Sequence, residues 1–252
     1  MYSIWKKLDT QHELLAELNI GQNPMQSAVK NYFRIPIVWS SNSIDGSTFN
    51  KSDTRKILED EVSVGHKPIK DLLAVVGLNK AYEHMFRLAS FDRVSEEDIL
   101  DFHRLIGDSL NNSMEAGLYR KTKVSVPNVD GKEFPGPEAM SWLMKDLLKK
   151  CDLNRFLMHP IRFGVNFHIT IMDTLPFEEG NGRIARMVMN TIFLQKGYLP
   201  IAIDPSLRRE YMFGFSGSDE KNVEFFENFI ADLVSKTQED FLKTVEAKKI
   251  VI

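Results

Sequence analysis

Thr174-Leu-Pro-Phe-Glu-Glu-Gly-Asn-Gly-Arg-Ile-Ala-Arg186 comes directly after the most apolar helical segment of the chain. From Phe156 to Leu175, the residues Phe156, Leu157, Ile161, Phe163, Val165, Phe167, Ile169, Ile171 and Met172 point in nearly every direction around a helix. Such a helix belongs in a core, so the loop after its C-terminus rests on a rigid support. Pro176 stops it. Gly180 and Gly182 then allow backbone conformations closed to other residues, at the start of a new helix. Several N–H groups can converge there, at the positive end of that helix, and form an anion site suited to phosphate. Arg183 and Arg186 on its first turns add charge-assisted, bidentate contacts. Glu178 and Glu179 lie just before it, and a carboxylate beside a polyphosphate commonly shares Mg²⁺ with it. Gly-Asn-Gly alone is a common turn; the reading rests on the combination of buried helix, carboxylate, glycines and two arginines.

Helical periodicity dominates the rest of the chain. Trp5, Leu8, His12, Leu15 and Leu18 recur at helical steps over Ile4 to Leu18. A second helix is predicted from Pro24 to Phe33. A short one is predicted around Trp39 to Thr48, ended by Gly46. Lys67 to Leu88 reads as one helix with a break at Gly77, and Ser95-Glu-Glu-Asp98 opens another. Further helices are predicted over Glu138 to Lys150, Phe156 to Asp173, Asn181 to Lys196 and Asn222 to Lys243. Between Lys121 and Phe134 the pattern changes: Val124, Val126 and Val129 flank Asp130-Gly131, a β-hairpin signal. The expected fold is all-α with one β-hairpin flap.

The 252 residues carry 32 lysines and arginines against 35 acidic residues, a net charge of −3. That balance gives no reason to expect nucleic acid or an anionic membrane as a partner. Residues 1–20 mix charges into the apolar positions, so no export signal is expected. No stretch reaches the roughly 18 apolar residues of a membrane span. The single cysteine, Cys151, allows no internal disulfide, and a cytoplasmic protein is expected. His66, His84 and His159 lack metal-ligand spacing, and Cys151 lacks a partner base.

Leu175 to Arg186 resembles the Fic signature H-P-F-x-[D/E]-G-N-G-R-x-x-R. Pro176, Phe177, Glu179, Gly180, Asn181, Gly182, Arg183 and Arg186 match it, and only the initial histidine does not. His103, Ala116-Gly-Leu-Tyr-Arg120, His159-Pro160, His168, Leu199-Pro200 and Tyr211 extend the resemblance over roughly residues 95 to 235. Members of the family transfer AMP from Mg-ATP to a hydroxyl of a target protein. The resemblance implies that Glu179 holds Mg²⁺ and that Gly180, Asn181 and Gly182 form the anion hole for the α- and β-phosphates. It also implies that Arg183 contacts phosphate and Arg186 takes the γ-phosphate. The resemblance further implies that the flap, with Val124, Ser125, Val126 and Phe134, binds the target by strand addition. Residues 61–252 are the expected Fic domain and residues 1–60 a helical regulatory segment. Such a chain needs ATP, Mg²⁺ and a target protein, and admits a homodimer.

Two departures qualify this. Leu175 stands at the position of the catalytic histidine and cannot accept a proton. Loss of a positioned base commonly costs about 10²–10⁴-fold in rate, while binding survives. A natural inactive member and a substituted chain both fit, and a nucleotide-binding signalling module without catalysis is the alternative function. His168 lies two turns back, about 10 Å of helix rise, and is expected to be a core histidine instead. Second, Ser41-Asn-Ser-Ile-Asp45-Gly46 resembles the family's inhibitory pattern [S/T]-x-x-x-E-[G/N] with aspartate for glutamate. The resemblance implies that Asp45 pairs with Arg186.

Overall fold

The computed structural model describes residues 3–62, 65–109, 115–124, 133–214 and 220–247. Ten α-helices occur among them: α1 (Ile4–Glu17), α2 (Met25–Ile44), α3 (Lys51–Glu59), α4 (Ile69–Leu88), α5 (Glu96–Ile106), α6 (Met140–Asn154), α7 (Pro160–Thr174), α8 (Asn181–Gln195), α9 (Arg208–Gly214) and α10 (Glu220–Glu246). None of the helices searched is long and apolar enough to cross a membrane.

α7 and α8 occupy the middle. Phe163, Phe167 and Ile171 of α7 enter one apolar cluster, with Ile184, Ala185 and Val188 of α8 and residues of α2, α4 and α5. Ile161, Val165 and Ile169 enter a second cluster, with Met189 and Phe193 of α8 and residues of α1, α9 and α10. Each fully buried side chain of this size stabilises by about 1.5–3 kcal/mol. The two central helices are thus gripped on both sides, and the loop joining them is held at both ends.

Local signals set several boundaries. Ser95 and Asp98 exchange side-chain and backbone hydrogen bonds in a capping box that starts α5. Asn50 and Asp53 do the same for α3, a helix absent from the expected set. α4 is unbroken at Gly77. The glycine is there for proximity: a Cβ would stand 2.9 Å from the Leu105 carbonyl oxygen, so α4 and α5 touch backbone to backbone. α2 does not stop at Phe33. It runs through Pro36 to Ile44, because Ile35, Ile37 and Val38 are buried and outweigh the proline's missing hydrogen bond. The central helix is shorter than the predicted Phe156 to Asp173, starting only at Pro160. Phe156 and Leu157 are 75% and 81% exposed and lie outside α7.

The expected hairpin finds no support, although the helical part of the expected fold stands. No strand occurs among the described residues, and Ser125, Val126 and the Asp130-Gly131 turn lie outside them. Val124 and Phe134 are irregular backbone. On the two flanks the carbonyls of Thr122 and Pro135 accept hydrogen bonds from the guanidinium of Arg120, so they face a side chain and not a neighbouring strand.

Candidate active site

The loop between α7 and α8 opens onto a cleft of about 640 Å³. Its lining includes Asp45, Lys70, Leu175, Glu179, Gly180, Gly182, Arg183, Arg186 and Tyr211. Gly180 caps α8 with a φ of +80°, a left-handed conformation that glycine adopts without cost. No side chain caps this helix. The amides of Asn181, Gly182 and Arg183 therefore have no carbonyl behind them, as at any helix start. Gly182 keeps the approach open: a Cβ there would lie 3.0 Å from Arg186 Nη1.

Asn181 does something the sequence does not reveal. Its side chain closes two hydrogen bonds with the Phe177 backbone, accepting from N at 3.0 Å and donating to O at 2.7 Å. The asparagine ties the loop to itself, which leaves its backbone amide as its contribution to an anion site. Phe177 is fully buried and stacks on His103 at 4.0 Å. His103 Nδ1 accepts from the Gly117 amide, and its Nε2 lies near the Glu179 backbone, outside hydrogen-bond geometry. Burial pushes its pKa down to about 4.

Both arginines are buried, and both face Asp45. Arg186 Nη2 donates to Asp45 Oδ1 at 3.0 Å and to the Ser41 carbonyl at 2.9 Å. Arg186 Nε donates to Ser41 Oγ at 2.8 Å, and Nη1 to the Tyr211 hydroxyl at 3.0 Å. Arg183 Nη1 donates to Ser109 Oγ at 2.8 Å, and its Nε stands 3.3 Å from Asp45 Oδ2, an ion pair without hydrogen-bond alignment. Burial lowers the pKa of Arg183, with Asp45 opposing. Burial also works against the charge of Arg186, but Asp45 and Tyr211 together outweigh it and raise its pKa. Asp45 is the C-cap of α2, Gly46 comes next at φ +95°, and Arg208 Nε donates to the Ile44 carbonyl at 2.8 Å. The end of α2 is thereby fixed over the arginines.

Residues 93–193 match the profile of the Fic/DOC family. These residues form a Fic domain. A protein adenylyltransferase Fic from Culex quinquefasciatus is 30% identical over 241 residues, covering 94% of this chain and 47% of that protein. The chain thus spans about half the length of the curated relatives it matches. Fic-1 from C. elegans has a TM-score of 0.80 at 25% identity, covering 94% of this chain and 71% of that one. A Fic domain containing signaling protein from Bacteroides thetaiotaomicron has a TM-score of 0.82 at 20% identity, covering 94% and 95%, a likeness of fold.

Within the Fic domain, Leu175 is the C-cap of α7, in a left-handed conformation (φ 44°, ψ 66°) and 5% exposed. Its side chain lines the cleft and carries no polar atom. No histidine or cysteine lines the cleft among the described residues. The carboxylates there are engaged: Asp45 with the arginines, Asp71 with Thr48, Glu178 with Thr122, and Glu179 with Lys70 at 3.8 Å. No group of three or more potential metal ligands occurs among the described residues. Glu179 is one third exposed at the lip, and a single carboxylate suits a Mg²⁺ ion that keeps waters and takes phosphate oxygens from a nucleotide. His168 is fully buried and bonded to Tyr211, with a pKa pushed down to about 3 by burial.

Two contributors had no role assigned from the sequence, although Arg120 belongs to a segment that carries the family resemblance. Ser109 sits 74 positions from its partner Arg183. Arg120 is 3% exposed and donates to the carbonyls of Leu175, Thr122, Thr174 and Pro135, while its own amide donates to the Pro176 carbonyl. It joins the backbone at residues 122 and 135 to the loop between α7 and α8.

Proposed function

We propose that the cleft binds Mg-ATP and that the chain is a protein adenylyltransferase of the Fic type, impaired at the proton-transfer step by Leu175. The observation that carries this reading is the convergence of the α8 amides, Arg183 and Arg186 on one open cleft beside Glu179. The amides of residues 181–183 hold the inner phosphates. Arg183 supports them, and Arg186 takes the terminal phosphate. Glu179 holds Mg²⁺, which when bound neutralises phosphate charge. A hydroxyl of a target protein, presented along residues 124–134, attacks the α-phosphorus. The α–β bridging bond breaks and pyrophosphate leaves. The hydroxyl proton needs an acceptor, and Leu175 offers none. Residues 1–60 act as the regulatory segment and 61–252 as the Fic domain. Asp45 holds Arg186 away from a terminal phosphate until α2 shifts.

A second reading has its own support. The absence of a histidine among the described cleft-lining residues suits a nucleotide-binding module in which ATP occupancy is the signal. Labelled ATP separates the two. The transferase reading expects little label on the protein as it stands and at least about 10²-fold more with Leu175→His. ATP binding without label in either form favours the module. No binding in either form removes both. Leu175→His is not expected to strain α7, because histidine tolerates the left-handed region better than leucine.

A further inference from the structure

Tyr211 is almost completely buried, and its hydroxyl is shared. Arg186 Nη1 donates to it at 3.0 Å, and His168 Nε2 lies 2.8 Å away. A guanidinium has donors only, so the tyrosine oxygen accepts from Arg186. The one proton of the tyrosine is then available for His168 Nε2, provided that the imidazole is neutral with its hydrogen on Nδ1. The tyrosine ring packs against Phe226 with centroids 5.9 Å apart, and His168 packs against the same ring at 5.2 Å. Both partners are therefore held in place by the second apolar cluster, through contacts separate from those that Ser41 and Asp45 make to Arg186.

The contacts of Arg186 divide accordingly. Those to Ser41 and Asp45 come from the end of α2. The one to Tyr211 comes from α9, which His168 ties to α7. We propose that His168 and Tyr211 are a positioning pair: His168 orients the tyrosine hydroxyl, and the hydroxyl fixes Arg186 Nη1. The guanidinium then keeps its aim into the cleft when Asp45 releases it. The inference rests on the reading that Arg186 takes the terminal phosphate of ATP, and it assigns to Tyr211 and His168 a role in discriminating nucleotides by that phosphate. Neither residue touches the reacting atoms.

The test uses the full chain with Asp45→Gly, so that the lock does not mask the effect, and compares ATP with AMP by calorimetry. Tyr211→Phe keeps the ring and removes only the hydroxyl. It is expected to weaken ATP roughly tenfold, the order of one hydrogen bond to a charged group, while AMP binding stays within about twofold. His168→Leu should give the same pattern. His168→Gln, which restores an acceptor, should recover part of the ATP affinity. Unchanged ATP affinity in Tyr211→Phe overturns the proposal, and so does equal weakening of both nucleotides, which indicates packing damage. His168→Leu without effect removes the histidine from the pair. Arg186→Ala is the control: if it fails to separate ATP from AMP, the assignment of the terminal phosphate falls, and not the positioning pair alone.

Discussion

Asp45 Oδ1 stands 3.0 Å from Arg186 Nη2, across 141 positions of sequence, while its Oδ2 faces Arg183 Nε at 3.3 Å. One carboxylate at the end of α2 thus compensates both arginines at the start of α8. Any polyanion entering the cleft competes with it for the same charges.

Replacing Asp45 exposes that competition. Asp45→Gly should raise ATP affinity roughly tenfold by calorimetry, the scale of one charge-assisted contact. The same change leaves two buried guanidinium groups without their counter-charge, so the melting temperature without nucleotide should fall by a few degrees and recover when ATP is added. Unchanged affinity would mean that the carboxylate does not obstruct the phosphates.

Arg120 is expected to behave as a structural clasp. Arg120→Ala leaves the carbonyls of Leu175, Thr174, Thr122 and Pro135 without its donors. The cost should be about 2–4 kcal/mol in urea unfolding. Arg120→Lys should not rescue it, because an ammonium cannot reproduce the planar fork. Full recovery with lysine would show that charge, and not geometry, is what matters at this position.

Gly77 tests the contact between α4 and α5. Gly77→Ala adds a Cβ 2.9 Å from the Leu105 carbonyl oxygen and 3.1 Å from Ile106 Cα, both backbone atoms with little room to yield. Overpacking of this kind costs about 1–3 kcal/mol, against roughly 1 kcal/mol gained in helix propensity. Thermal denaturation should show a net loss. A more stable alanine variant would mean that the two helices part easily.

Stability should depend on the buried histidines. Burial holds His103 at about 4 and His168 at about 3, below their ordinary value of 6.5. Both are neutral in the folded protein, so the unfolded chain binds more protons as pH falls. Their contribution is complete above about pH 6.5 and is lost as pH drops towards 4 for His103 and 3 for His168, by about 1.4 kcal/mol per unit for each. The urea midpoint should therefore decline between about pH 7 and pH 5, with a shallower decline in His103→Gln. A flat midpoint over that interval would contradict the neutral assignment.

Much of the helical architecture is legible along the chain because helix starts are local events. The Ser95 N-cap and the Gly180 turn are read from a few consecutive residues. Where neighbours in space decide, local reading fails. It ends α2 at Phe33, whereas burial of Ile35, Ile37 and Val38 carries the helix through Pro36. It extends the central helix back to Phe156, which the structure leaves on the surface. It also passes over α3, a mostly polar helix of nine residues, although its Asn50–Asp53 capping box is itself a local signal.

By itself the sequence determined the loop chemistry: a left-handed glycine, free amides at a helix start, two arginines on one face, and leucine where the family has histidine. The glycine, the amides and the arginines come from residue type and spacing over about a dozen positions; the histidine expected at Leu175 comes from the family resemblance. The resemblance implied the pair of Asp45 with Arg186; the other contacts of the two arginines were decided only by the tertiary structure. The carboxylate of Asp45, the hydroxyls of Ser41, Ser109 and Tyr211, and the guanidinium of Arg120 reach the signature region from distant parts of the chain, because two apolar clusters grip α7 and α8 from both sides. Packing of that kind depends on shape and burial across the whole fold, and no local pattern encodes it.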